Sequence, residues 1–394
     1  MKLTAIHSAI LISLLPSASV FAAGLDRSGQ SISAFLQPGN YAEAGISVLD
    51  PTVKGKDNSG DKVEDMGDDY YFPSAAIKVQ ATDKISIGLL YDQPYGADAT
   101  YKIDGSDFSD PTLKEGTKVE VRTNNLTALI GYQPTENWNF YAGPVWQTVE
   151  ADISLRGKAY SKDVATLSGY NIKVDQKDAY GWLAGFAYQI PEIALKAAVT
   201  YRSEIKHNAK SKETSQLYVP ANSLLGNTSA IDLRNINSDV DAITPQSVNI
   251  DLQSGITQNT LAFANVRWVH WDNFVVSPKL LSHPLINQNL IDYSDDQYSA
   301  NVGLGHKFNN KWSGTAAVGY DSGAGNPVTT LGPTEGYWSL GLGGQYSPAE
   351  NYFIQAGVKY FWLGDATAQT GGKPKAEFYD NHAIGYGMKI GYRF

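Results

Sequence analysis

The sequence predicts an all-β fold: a transmembrane antiparallel β-barrel of about 14 strands with a short N-terminal segment. Three observations carry this. The chain opens on an export signal and holds no later run of about 18 apolar residues that could cross a membrane as a helix. It closes on a strand of strict alternation that stops on an aromatic residue, Phe394. Between these ends, tight turns and long polar loops take turns along the chain.

The opening MKLTAIHSAILISLLPSASVFAAGLDR has a basic Lys2, an apolar run from Ala9 to Leu15, and small residues around Ala22. This reads as a secretory signal over residues 1–22, cleaved after Ala22. Residues 23–39 form a short segment before the first strand, and residues 40–394 form the barrel. Mean hydropathy is −0.28, which looks soluble. A barrel gives the same average, because lipid-facing and lumen-facing residues alternate and cancel. The 24 Tyr, 37 Gly and absence of Cys suit an exported barrel without disulfides. A net charge of −9 argues against a nucleic-acid partner.

In NHAIGYGMKIGYRF, the residues Ile384, Tyr386, Met388, Ile390, Tyr392 and Phe394 alternate with small or basic ones. The same period sets Ile85, Ile87, Leu89 and Tyr91 on one face, then Leu126, Ala128, Ile130 and Tyr132, then Tyr298, Ala300, Val302 and Leu304. Turn residues cluster at Thr82 to Lys84, Pro134 to Asn137, Pro191 to Glu192, Thr257 to Asn259, Asn309 to Lys311 and Pro348 to Asn351. Longer polar stretches fall at 50–69, 98–117, 155–178, 208–244, 275–295, 323–335 and 365–380. Six turns and seven loops give an even strand number with both termini in the periplasm. Trp138, Trp312, Tyr352 and Phe308 stand beside the turns, where an aromatic girdle belongs.

The third strand breaks its own pattern: LLYDQPYGAD places Pro94 and Gly96 where ladder residues should be. Proline brings no ladder N–H and glycine weakens a strand, so Gln93, Pro94, Tyr95, Gly96 and Ala97 read as a bulge or as the end of pairing.

Catalytic and metal-binding patterns are missing. His207, His270, His283, His306 and His382 are scattered without ligand spacing, and no G-x-S-x-G turn supports a hydrolase. The acidic run from Asp57 to Asp69 reads as a solvated loop rather than a metal site. The sequence therefore predicts no cofactor, no metal and no enzyme.

The segments AYGWLAGFAYQIPEIALKAAVTYRSEIKH (Ala179 to His207) and VRWVHWDNF (Val266 to Phe274), with DQPYGA, resemble the FadL/TodX family of outer-membrane channels for long-chain fatty acids and other hydrophobic compounds. The resemblance implies a fourteen-stranded barrel with an N-terminal hatch, in an outer membrane of a Gram-negative bacterium. It implies an inward kink in the third strand, at Gln93 to Ala97, through which substrate leaves sideways. It also implies capture on the third and fourth external loops, with Leu167, Tyr170, Leu217, Tyr218, Leu224 and Leu225 as contacts. The chain departs from the family in one respect: only about seventeen residues precede the first strand, and an Asn-Pro-Ala hatch motif is missing. Alternation turns Arg202, Arg267, Lys359 and Lys389 inward; Arg202 and Arg267 are the candidates for a substrate carboxylate, since arginine binds carboxylates bidentately. The expected partners are a hydrophobic or fatty-acid substrate, outer-membrane lipid and lipopolysaccharide, and the barrel-assembly machinery, for a chain acting as a monomer. A general diffusion porin is the alternative, and an outer-membrane enzyme a more distant one.

Overall fold

The computed structural model describes residues 25–162, 165–221, 227, 229–272 and 274–394. The expected signal at 1–22 lies outside the described residues. No helix among them is long and apolar enough to cross a membrane. The architecture is a closed antiparallel barrel, as the alternation requires.

In chain order the strands are β1 (Tyr41–Thr52), β2 (Tyr70–Gln80), β3 (Ile85–Asp92 and Gly96–Thr100), β4 (Lys118–Tyr132), β5 (Trp138–Leu155) and β6 (Tyr170–Ile190). They continue with β7 (Leu195–Arg202 and Ile205–Thr214), β8 (Asn235–Thr244 and Ser247–Gly255), β9 (Thr260–Val269) and β10 (Gln297–Lys307). The last four are β11 (Trp312–Asp321), β12 (Tyr337–Ala349), β13 (Tyr352–Leu363) and β14 (His382–Arg393). Among the described residues the seventeen paired segments make fourteen strands, because β3, β7 and β8 are each interrupted once. The sheet closes where β1 pairs β14, from Tyr41↔Arg393 to Thr52↔His382. Closure leaves no free edge at the seam of first and last strands, where exposed backbone in hydrocarbon would be unpaired.

Outward faces carry the predicted apolar residues: Ile85, Ile87 and Leu89 on β3, and Ile384, Tyr386, Met388 and Ile390 on β14, are all exposed. Ser86 and Gly88 between them are buried. All six tight turns stand where the turn residues predicted. Two of the loops are shorter than expected. Strand β6 begins at Tyr170 rather than near 178, and β7 and β8 reach Thr214 and Asn235, leaving only 215–234 between them. The upper parts of these strands keep their alternation with polar residues outside, as at Lys206, Asn208, Lys210 and Lys212. Polarity made them look like loop, whereas they are strands standing above the apolar belt.

The external loops knit into a cap. Gly55–Asp57, Lys62–Val63, Val328–Thr329, Ala366–Thr370 and Lys373–Phe378 form one small sheet across the first, sixth and seventh loops. Beneath it, Tyr101 stacks on Phe108 at 4.7 Å, and Phe378 meets both rings. The acidic run is structural here: Asp57 accepts from the amides of Ser59, Asp61 and Asp107.

One cap carboxyl sets a pH dependence. Glu335, between β11 and β12, accepts from the Gly325 amide at 3.2 Å, and its other oxygen is buried with no partner. Burial pushes this carboxyl up to about 7 from 4.5, with Asp295 adding to the rise. A folded value above the unfolded one means its stabilisation is full below 4.5 and is lost as pH rises through about 7. Protection of the Gly325 amide from hydrogen exchange, corrected for intrinsic rates, is expected to fall across that window; Glu335→Gln should make it flat.

Candidate functional site: a break in the wall and the lumen behind it

The wall is interrupted at the predicted stretch of β3. Below the break β3 pairs on both sides, with β2 up to Tyr91↔Ala75 and with β4 up to Asp92↔Asn125. Above it, Gly96–Thr100 pairs with β4 alone, from Gly96↔Arg122 to Thr100↔Lys118. Three residues, Gln93 to Tyr95, thus stand opposite two, Thr123 and Asn124: a one-residue bulge. On the other side, Tyr70 to Ser74 of β2 have no ladder partner in β3 among the described residues. The wall meets again only higher, at the Gly67↔Ala99 bridge.

The backbone freed from β2 is taken up from inside. Asp26 bridges to Tyr95, the Arg27 amide donates to the Pro94 carbonyl at 2.7 Å, and the Gly96 amide donates to the Leu25 carbonyl at 2.8 Å. Pro94 has no N–H to lose in this exchange. Toward β4, the Thr123 hydroxyl accepts from the Tyr95 amide and donates to the Tyr95 carbonyl. Pro94, Tyr95, Gly96 and Ala97 are all buried, while Gln93 is half-buried. Gly96 is required by contact: a Cβ there would lie 1.9 Å from the Tyr70 hydroxyl.

Residues 25–39 run inside the barrel. Phe35 is fully buried against β3 and β4, where a Cβ on Gly88 or Gly131 would fall within 3.0 Å of its ring. Tyr141 meets that ring edge-on at 5.9 Å. Lys196 and Lys78 donate to the carbonyls of Leu36 and Gln37. Arg267 holds the other end: its Nε donates to Asp26 at 2.7 Å, and its remaining nitrogens donate to Asn249, Ser247 and Gln30.

The two candidate arginines therefore differ. All three nitrogens of Arg267 are engaged within the protein. Arg202 donates from Nη2 to the Gln30 carbonyl, while its Nη1 is buried without a partner. Arg202 lines a cavity of about 110 Å3 with Gln30, Glu43, Ser47, Asp92 and Asn125. Pro73, Ala75 and Met388, on the outward faces of β2 and β14, line the same cavity. Tyr91 and Asp92 place this cavity beside the break. Lys359 and Lys389 also face inward, Lys389 paired to Glu43 at 3.1 Å.

The loop residues are placed otherwise than on an open groove. Leu167, Tyr170 and Leu217 are buried in the cap, and the Tyr170 hydroxyl donates to Glu213 at 2.9 Å. Tyr218 is exposed, under the Arg234 guanidinium at 4.8 Å. Leu224 and Leu225 lie outside the described residues. Sequence reasoning missed Asp26, Gln30 and Asn249, which organise the lumen. The polar run LDRSGQS before an apolar Ile32 was the available signal.

The model of the family described as outer membrane protein transport protein (OMPP1/FadL/TodX) matches residues 26–394. Among solved structures, a Pseudomonas aeruginosa FadL homologue superposes with a TM-score of 0.71 at 16% identity, over 92% of each chain. The P. putida toluene transporter TodX gives 0.62 at 14% identity, over 95% of this chain and 99% of that one. The Ralstonia pickettii toluene transporter TbuX gives 0.63 at 12%, over 96% of both. No curated protein matches the chain. These likenesses agree in fold with the fourteen-stranded barrel, and the family match spans nearly the whole sequence. The chain belongs to the FadL/TodX family of outer-membrane transport proteins.

Proposed function

We propose that this protein is a passive channel for long-chain fatty acids, which reach the lumen from the external loops and leave sideways into the membrane between β2 and β3. The reading rests on one observation: Tyr70 to Ser74 of β2 have no ladder partner in β3 among the described residues, and the Arg202 cavity lies beside that gap. Burial of a methylene is worth about 0.8 kcal/mol, so about sixteen of them released into periplasmic water would cost ~13 kcal/mol. A sideways exit into lipid avoids that cost. The N-terminal segment then acts as a plug that closes the lumen below the break and satisfies the backbone of β3 beside it.

The cavity lining favours an acid over a bare hydrocarbon. Arg202 has a free donor there, and of the two acids in the lining Glu43 is paired to Lys389 while Asp92 accepts from Ser28 and Asn125. A monoaromatic compound, the cargo named for TodX and TbuX, would leave that donor unpaired. Tyr218, exposed on the fourth loop, supplies the first contact from outside.

Uptake of labelled oleate and labelled toluene, measured in a Gram-negative strain that lacks its own channel, tests the reading. Oleate uptake at least tenfold above the empty vector, with little for toluene, is expected. A large steady ion current in planar bilayers without oleate uptake would instead identify a general diffusion porin.

A further inference from the structure

We propose that the periplasmic mouth of the barrel carries a separate oxyanion site that takes a phosphate group. The site is built from the lower ends of β10, β11, β12 and β14 and the two turns between them. Lys307, Lys311 and Arg393 line one cavity of about 230 Å3, with Ser313, Gln345 and Ser347. Lys307, Ser313, Gln345 and Arg393 stand at lumen-facing positions of their strands, opposite in phase to the exposed Trp312 and Tyr392.

Two side chains of this cavity each carry a buried polar atom without a partner. Arg393 Nη2 is buried without a partner. Gln345 is 7% exposed; its Nε2 donates to Ser347 at 3.2 Å and its Oε1 has no partner. Exchanging the two amide atoms would turn a free N–H donor into the same space. A buried donor left unmatched is unfavourable; an anion would satisfy it.

The charge balance points the same way. No ion pair forms at Lys307, Lys311 or Arg393 among the described residues, and the acid lining the cavity, Glu350, is exposed. Two other lumen cations are matched by acids, Arg267 by Asp26 and Lys389 by Glu43. In a chain of net charge −9, three unmatched cations around one hollow are a local reversal of sign. A guanidinium fork with two ammonium groups suits the several oxygens of phosphate better than one carboxylate. Trp312 meets Tyr346 in a tilted contact at 4.6 Å on the outside of the same rim, where aromatic side chains mark the membrane interface. The phosphate thus comes either from an inner-leaflet phospholipid headgroup or from the periplasm.

Calorimetric titration of the full-length mature barrel in a non-ionic detergent tests this, with sodium phosphate in one arm and monomeric dihexanoyl phosphatidylglycerol in the other. Sodium chloride at matched ionic strength is the blank. Saturable one-to-one binding in either arm is expected, weakened at least tenfold in Lys307→Gln/Lys311→Gln with heat-modifiable migration unchanged. Binding of phosphate identifies a free-ion site, and binding of the lipid alone a headgroup site. No binding in either arm, or binding that survives the double substitution, overturns the proposal.

Discussion

Deletion of Pro94 is expected to bring oleate uptake down to the empty-vector level, a loss of tenfold or more, while the barrel still folds and migrates as a heat-modifiable protein. The reason is the count of residues. Between the rungs Asp92↔Asn125 and Gly96↔Arg122, β3 has three residues and β4 has two. Removing Pro94 leaves two against two, so Gln93 falls opposite Asn124 and Tyr95 opposite Thr123. The same deletion restores alternation, with Gln93 outward and Tyr95 inward, and returns a full set of amide donors toward β2. Tyr70 to Ser74 can then pair, and the break is sealed. Substituting Gly96 is a poorer way to close it, because any side chain there strikes Tyr70. Uptake that survives the deletion would show that substrate leaves by another route.

Arg202→Gln is expected to weaken oleate binding by about ten- to a hundredfold, and to leave the weaker passage of a neutral hydrocarbon unchanged. Hydrogen bonds to charged groups contribute about 1.5–3 kcal/mol, and each 1.4 kcal/mol is a factor of ten. Glutamine can still donate to the Gln30 carbonyl that Arg202 Nη2 reaches, so the N-terminal segment keeps that tie. Arg267→Gln serves as the contrast. It breaks a buried pair with Asp26, which in proteins typically costs 3–5 kcal/mol, so it should free the N-terminal segment and raise its protease sensitivity. Equal loss of oleate and hydrocarbon passage in Arg202→Gln would assign that residue to structure alone.

Strand number, turn positions and the face of each strand were legible in the sequence, because a barrel wall imposes a period of two that residues such as Ile85 to Tyr91 display without interference. The break at Pro94 was legible for the same reason, as a fault in that period. The upper parts of β6, β7 and β8 were not: outside the apolar belt, Lys206 to Lys212 alternate with buried residues but offer no lipid-facing apolar row. The roles of Arg202 and Arg267 were not separable either. Both face inward by parity, and only the placement of Asp26, more than two hundred residues away in sequence, neutralises one and leaves the other open. Burial of Leu167, Tyr170 and Leu217 was hidden likewise, since apolar loop residues look alike whether they meet one another or a ligand.

The extra residue in β3 also acts as a phase shifter. Below it the odd-numbered residues Ile85 to Tyr91 face outward; above it the even-numbered Gly96 and Asp98 take that face, paired with Arg122 and Glu120. An opening in a barrel wall can therefore be written into a sequence as a single inversion of odd–even parity between two otherwise regular runs. In a barrel whose bulge held no proline or glycine, that inversion alone would mark the window.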